Sequence, residues 1–139
     1  MIAYLDSSVL LRLVLGEPGR LAEWPKVDQG VTSELARVEC LRTLDRLRAR
    51  GDLTDTEVGV ARRTVLQLLE AVELVMLGPA VLRRAADPFP TPLGTLNALH
   101  LATALEWLAA RRDPLVLATH DAELARAASA CGLEVIGAG

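Results

Sequence analysis

Aromatic residues, lysine and net positive charge are all scarce in this chain of 139 residues. Aromatic side chains make up 3% of it, which disfavours a nucleic-acid surface that stacks bases on aromatic rings. The net charge of −3 argues against a generic basic nucleic-acid binder. Lys26 is the single lysine among 15 cationic residues. The others are arginines, which can hold phosphate through paired hydrogen bonds, although a biased genome composition would explain them equally well.

Cysteine is also sparse, and no apolar run is long enough to cross a membrane. Cys40 and Cys131 lie far apart in apolar segments, which favours buried free thiols in a reducing compartment over a disulfide. The N-terminus lacks the pattern of a signal peptide. We therefore expect a cytoplasmic protein with no membrane partner. The length suits one domain over residues 1–139, and the 51% of hydrophobic residues can form its core.

Short apolar runs alternate with longer segments of helical periodicity along the chain. This alternation predicts an α/β fold, in which helices cover both faces of a parallel sheet. Strands are predicted over 2–5, 29–32, 73–76, 115–118 and 134–136. Helices are predicted over 8–15, 33–50, 54–70, 79–86, 95–111 and 122–131, with a short helical segment at 21–24.

Several helices have further features that can be tested against a structure. Thr54 and Glu57 have the spacing of a capping box at the start of a helix. The helix over 95–111 is apolar on almost every side, so we expect it to be buried. The helices over 33–50 and 54–70 are expected to form an antiparallel hairpin. Its outward face would carry five arginines: Arg46, Arg48, Arg50, Arg62 and Arg63.

Two aspartates occupy equivalent places in the predicted fold. Asp6 directly follows the first strand, Asp121 closely follows the fourth, and each precedes a helix. Because the carboxyl ends of parallel strands meet at one edge of the sheet, the two side chains are expected to lie close together. Such a pair can bind a divalent cation, since Mg²⁺ and Mn²⁺ prefer oxygen ligands. The simpler alternative is that each aspartate only caps its helix.

Two further polar residues could join this pair. Glu39 lies at the edge of the apolar stripe of its helix, and the ordinary alternative is a surface ion pair with Arg42. Asn97 lies near the start of the apolar helix over 95–111, where local hydrogen bonding is the ordinary explanation. The residues alone favour the ordinary explanation for Glu39.

Four short segments resemble, in order and spacing, the four motifs of PIN domains, and the chain looks like a VapC-type toxin of a bacterial toxin–antitoxin pair. The segments are Tyr4-Leu-Asp-Ser-Ser8, Ser33-Glu-Leu-Ala-Arg-Val-Glu39, Leu96-Asn-Ala-Leu-His-Leu-Ala-Thr-Ala104 and Ala118-Thr-His-Asp121. The resemblance covers nearly the whole chain. It implies a PIN-like, three-layer α/β/α sandwich with a mostly parallel sheet of about five strands. It also implies an endoribonuclease that depends on Mg²⁺ or Mn²⁺.

The resemblance assigns roles to the matching positions. Four of them correspond to catalytic and metal-binding acids: Asp6, Glu39, Asn97 and Asp121. Hydroxyl groups would support these ligands from Ser7, Ser8 and Thr119. The bound ion would lower the pKa of a water molecule that attacks the scissile phosphate. Candidates for phosphate contacts at the rim, otherwise solvated surface charges, are Arg12, Arg42 and Arg46.

Asn97 departs from the pattern, because this position is nearly always aspartate in such toxins. An amide offers one carbonyl oxygen to a cation but no negative charge. Weaker metal binding and weaker activation of a bound water should follow. Either a natural variant of reduced activity or an engineered inactive form would explain the amide, and the intact surroundings favour the engineered form.

The resemblance also implies partners and leaves a rival interpretation open. The expected partners are a VapB-type antitoxin, an RNA substrate and a second copy of the chain. Candidate surfaces for protein partners are the first helix from Val9 to Leu15 and the arginine-bearing hairpin. His100 is expected to be structural, and the proposed chemistry requires no base from His120. The rival is a PIN-like module that binds RNA or protein without cutting, and a receiver-like signalling domain ranks lower still.

Overall fold

Five strands form one parallel sheet in a computed structural model that describes residues 1–138. The sheet order is β3-β2-β1-β4-β5, and all four neighbouring pairs are parallel. The strands are β1 (Ile2–Leu5), β2 (Gln29–Ser33), β3 (Glu73–Val75), β4 (Val116–Ala118) and β5 (Glu134–Ile136). The helices are α1 (Ser7–Leu15), α2 (Glu34–Ala49), α3 (Asp55–Glu70), α4 (Pro79–Ala86), α5 (Thr95–Arg111) and α6 (Ala122–Ala130).

The two faces of β1 show how the sheet organises the core. Successive side chains of a strand point to opposite faces. Ala3 and Leu5 pack with buried residues of α1, α2 and α3, whereas Tyr4 packs with Leu101 of α5 and Leu124 of α6. A central, doubly covered strand explains why β1 is a continuous apolar run. The expected three-layer α/β/α fold is confirmed.

The predicted helices agree closely with the structure, except for the position of one short segment and the burial of α5. Thr54 and Glu57 form the expected capping box at the start of α3, and α3 packs against α2. The short helical segment lies at Trp24–Lys26 and not at 21–24. We expected Pro25 to end this segment, but proline suits the first turn of a helix, and Pro25 lies in that turn. The helix α5 is not buried all round, since Leu96 in its first turn is 51% exposed.

Other expectations concern the cysteines, the membrane and the domain boundary. Both thiols are free, with Cys40 buried and Cys131 only partly buried. Within residues 1–138, no helix combines the length and the apolar character needed to span a membrane. The expected single domain extends to Gly139, which lies outside the described residues.

Gly30 lies where β2 passes close to neighbouring side chains. A Cβ atom there would come within 2.7 Å of Val72 Cγ1 and 3.0 Å of Leu5 Cδ1. We therefore expect Gly30→Ala to lower the free energy of unfolding by about 1–3 kcal/mol through overpacking, as measured by urea denaturation. The matched control is Gly59→Ala in α3, where a Cβ atom meets nothing within 4 Å and stability should rise by about 0.5–1 kcal/mol. Equal stability of the two variants would contradict this account.

Candidate functional site

Asp6 lies at the carboxyl end of β1, next to the end of β4. Its backbone N–H bonds to Ala118 O, which joins the ends of the two strands. Its Oδ1 caps α1 by accepting from Val9 N at 3.0 Å, and it also accepts from Ser8 Oγ at 2.6 Å. Its Oδ2 accepts a short hydrogen bond from Thr119 Oγ1. Asp6 is 3% exposed, so protein groups hold this buried carboxylate firmly in place.

Asp121 reaches the same edge of the sheet from the loop after β4. Its Oδ1 caps α6 by accepting from Leu124 N at 2.9 Å. Its backbone N–H donates to Thr119 Oγ1, the hydroxyl that also donates to Asp6. Thr119 therefore links the two aspartates. Both are helix caps, as the simpler interpretation held, and both also line one cavity.

Glu39 extends from α2 towards the same cavity. Its Oε1 accepts hydrogen bonds from Ser7 Oγ at 2.7 Å and from His100 Nε2 at 2.5 Å. The ion pair with Arg42 that the sequence also allowed is not formed, because Arg42 pairs with Asp45 at 3.0 Å. Glu39 therefore belongs to the interior of the site and not to the arginine-bearing surface.

Burial and hydrogen bonding act in opposite directions on the ionisable groups here. Burial raises the pKa of Glu39, but the hydrogen bond and charge of His100 and the hydrogen bond of Ser7 outweigh it, so the net pKa is lowered. Burial, with the nearby charges of Glu39 and Asp6, raises the pKa of the Cys40 thiol to about 12. Glu39 is thus available as an anion, and Cys40 is an inert thiol.

A cavity of about 160 Å³ brings the predicted site residues together. Its lining consists of Asp6, Ser7, Ser8, Glu39, Asn97, His100 and Asp121. Thr119 supports the lining through its hydrogen bonds. Larger cavities, of about 300 to 600 Å³, lie elsewhere among the described residues. Three of them are lined by a single carboxylate, and the fourth places Asp87 and Glu106 beside the cations of Arg83 and Arg84. The small cavity is therefore the better candidate for chemistry with a cation.

His100 is the site residue that the sequence interpretation underrated. It lies three residues after Asn97 on α5, so both side chains project from one side of the helix. Its ring is almost fully buried, yet it lines the cavity and contacts Glu39. The spacing from Asn97 was a signal that could have identified it. The contact with Glu39 could not be predicted, since 61 residues separate the two.

The three candidate phosphate-binding arginines lie outside the cavity lining. Arg12 donates to Gly19 O at 3.2 Å, which ties it to the loop after α1. Arg42 pairs with Asp45, and Arg46 donates to Thr43 Oγ1 at 3.0 Å. Arg42 and Arg46 follow Glu39 along α2 and are exposed, so they remain the better candidates for a rim contact.

The donor set fits a hydrated Mg²⁺ or Mn²⁺ ion better than a closed zinc site. All the hydrogen bonds that Glu39 and Asp121 side chains accept from the described residues go to one oxygen of each carboxylate. Their second oxygens are available, as is the remaining lone pair of Asp6 Oδ2. No group of three or more His, Cys, Asp or Glu side chains within residues 1–138 is arranged to hold an ion directly. The oxygen atoms that remain available are of the kind that Mg²⁺ and Mn²⁺ prefer, and Mg²⁺ keeps several waters when it binds through one or two carboxylates.

Known proteins resemble this chain both in sequence and in fold. Ribonuclease VapC46 of Mycobacterium tuberculosis is 33% identical over 136 residues, which cover 96% of this chain and 95% of the relative. The structure of FitAcB from Neisseria gonorrhoeae matches with a TM-score of 0.73 at 16% identity, covering 98% of this chain and 96% of that one. A toxin-antitoxin complex from Klebsiella pneumoniae matches with a TM-score of 0.64 at 14% identity, covering 96% and 95%.

The chain also matches a sequence model of a protein family over most of its length. The model of the PIN domain matches residues 3–130, which contain every candidate site residue. Together with the VapC46 relative, this match shows that the chain belongs to the PIN-domain family and, within it, to the VapC type.

Proposed function

We propose that this chain is the ribonuclease toxin of a type II toxin–antitoxin pair and that its site hydrolyses RNA phosphodiester bonds with the help of Mg²⁺ or Mn²⁺. The observation that carries the proposal is the convergence of Asp6, Glu39, Asp121 and Asn97 on one cavity. Relatives named VapC ribonucleases support it. The ion would lower the pKa of a bound water and offset the charge of the phosphate.

The candidate residues would have different roles in binding the ion and the attacking water. Asp6 and Asp121 would bind the ion directly or through water, because both are fixed at the sheet edge by their caps. Glu39 and the residue at position 97 would complete the ligand set or orient the attacking water opposite the leaving 3′ oxygen. Three hydroxyls would hold the carboxylates in place: Ser7, Ser8 and Thr119.

Asn97 would make this chain a weakened form of such an enzyme. With aspartate there, the cavity would hold four carboxylates, and with asparagine it holds three. The loss of one negative charge lowers the affinity of a site for a divalent cation. The chain would then be a nuclease scaffold in which one ligand has been neutralised, by natural variation or by design.

An antitoxin is the proposed protein partner, and the exposed surface near the site supports it. Val38 and Leu96 each precede a site residue, and they are 57% and 51% exposed although apolar. They lie on α2 and α5, the two helices that supply Glu39 and Asn97. The first helix is the weaker candidate surface, because its apolar side chains are buried or half-buried. A homodimer is also proposed, without a located interface.

A titration with Mg²⁺ and Mn²⁺ tests the proposal, with cleavage of a mixed RNA pool as the measurement. The Asn97→Asp protein should cut RNA only when the metal is present, and a chelator should abolish the activity. The rival function, a PIN module that binds without cutting, draws its support from Asn97. It predicts metal-independent RNA retention with no cleavage by either protein, and that result would overturn the proposed nuclease.

A further inference from the structure

A continuous chain of hydrogen bonds runs from the core of the sheet to the candidate site. It begins at Tyr4 in the centre of β1, a fully buried residue whose hydroxyl lies 2.7 Å from His100 Nδ1. It continues from His100 Nε2 to Glu39 Oε1 at 2.5 Å. Ser7 Oγ, 2.7 Å from the same oxygen, completes the environment of that side of the carboxylate.

The positions of the hydrogens follow from what each atom can donate or accept. Glu39 Oε1 is a carboxylate oxygen and acts as an acceptor, so Nε2 of His100 must carry the proton in this contact. Nδ1 faces the Tyr4 hydroxyl, which can donate to a nitrogen lone pair. When the ring carries a single proton, that proton is on Nε2, and both ring nitrogens are used.

We propose that His100 is a positioning residue: held by Tyr4 as the Nε2–H tautomer, it fixes Oε1 of Glu39 and leaves Oε2 as the oxygen available to a cation. The inference rests on the proposed metal-dependent function. It assigns a role in positioning to His100, which was expected from the sequence to be only structural. Asn97 and His100 are successive residues on one side of α5, so this helix would supply one ligand and orient another.

The geometry favours positioning over packing. An apolar side chain could fill the buried position of His100, whereas the structure places a ring with two polar contacts at opposite edges. The second partner of a metal-binding side chain commonly sets its orientation, and loss of that partner typically lowers metal affinity by about 10- to 100-fold. The wholly buried Tyr4 gives the arrangement a rigid base, because its ring also packs edge-on against His100.

A matched pair of substitutions separates the two roles. The amide nitrogen of glutamine can reach the position of Nε2, whereas that of asparagine lies nearer to Nδ1. His100→Gln should therefore keep a donor for Glu39, and His100→Asn should lose it. Manganese binding, measured by electron paramagnetic resonance in the Asn97→Asp protein, should weaken by about 10-fold or more in His100→Asn. His100→Gln should retain most of the affinity.

The ring tautomer provides a readout that needs neither metal nor activity. Nitrogen NMR of the metal-free chain at about pH 8, where an ordinary imidazole is neutral, should show His100 protonated at Nε2 and not at Nδ1. The chain has 2 histidines, so a His120→Gln variant assigns the signals. Tyr4→Phe should shift the Nδ1 signal to that of a nitrogen without a hydrogen-bond partner.

The outcomes distinguish this inference from the proposed function. A ring protonated at Nδ1 alone, or equal Mn²⁺ affinity in His100→Asn and His100→Gln, would overturn the inference even if RNA were cleaved. Absent RNA cleavage, together with the expected tautomer and the expected order of affinities, would overturn only the nuclease. Failure of every variant to bind Mn²⁺ would overturn both. Thermal denaturation of each variant identifies any that does not fold.

Discussion

The Asn97→Asp variant should cleave RNA at least about 100-fold faster than the unchanged chain in Mg²⁺ or Mn²⁺, because loss of even an outer hydrogen-bond partner of a metal ligand lowers metal affinity or activity 10- to 100-fold. Asn97 lines the same cavity as three carboxylates, so the restored charge would act on the same ion. The measurement is the initial rate of cleavage of one RNA substrate at several metal concentrations. The advantage of the aspartate should be largest at low metal concentration.

The stability of the metal-free protein gives a second expectation for the same change. A fourth carboxylate beside Asp6, Glu39 and Asp121 adds like-charge repulsion, so the melting temperature without metal should fall. Added Mn²⁺ should then raise the melting temperature more in Asn97→Asp than in the unchanged chain, because a ligand stabilises the state that binds it more tightly. Equal rates and equal stabilisation by Mn²⁺ would show that position 97 does not contact the ion.

Asn97→Ala is the control that separates charge from shape. It removes the carbonyl oxygen as well as the amide nitrogen and changes no charge. Its cleavage rate should be no higher than that of the unchanged chain. If Asn97→Ala instead reached the rate of Asn97→Asp, the amide would be an obstruction in the cavity and not a weakened ligand.

The fold could be predicted largely from local pattern. Most strands contain a short apolar run, and helix starts carry chemical signals, as at Asp6 and at Thr54 with Glu57. These signals act over a few residues and so can be recognised in a sequence. The exception at Trp24–Lys26 is also local, because a proline can begin a helical turn as well as end one.

The meeting of several candidate residues at one cavity was predictable, but the contacts between them were not. Asp6 and Asp121 could be placed together because parallel strands present their carboxyl ends at one edge. The partner of Glu39 could not be chosen, because it depends on how α2 and α5 pack. Spacing along α2 offered Arg42 to both Glu39 and Asp45, and packing turned Glu39 inward to His100 while Asp45 took the arginine. Position along one helix cannot decide between such alternatives.

Asp6→Ala should be the most damaging single change to the chain, because this residue caps α1, accepts from two hydroxyls and is a proposed ligand of the ion. The substitution removes the cap of α1 and leaves Ser8 and Thr119 without the acceptor that they share. The combined loss of the cap and of the acceptor for buried donors should lower the free energy of unfolding by about 2–4 kcal/mol. Urea denaturation measures it.

Asp6→Asn separates the structural role from the chemical one. Asparagine caps helices about as well as aspartate, so most of the stability should remain. It brings no negative charge, so in the Asn97→Asp background RNA cleavage should fall by at least about 100-fold, as for the other ligand positions. A stable Asp6→Asn protein with undiminished cleavage would remove Asp6 from the ligand set.

Asp121→Ala provides the matched comparison at the neighbouring cap. The Asp121 side chain accepts one hydrogen bond, from Leu124 N, and is only half-buried, whereas the Asp6 side chain accepts three and is buried. Its loss should lower the free energy of unfolding by about 1 kcal/mol, the usual effect of removing a helix cap. Cleavage should fall as far as in Asp6→Asn. Substitutions of Asp6 and Asp121 that differ in their effect on stability but agree in their effect on cleavage would separate helix capping from ion binding. Two aspartates that served only as helix caps could not produce that result.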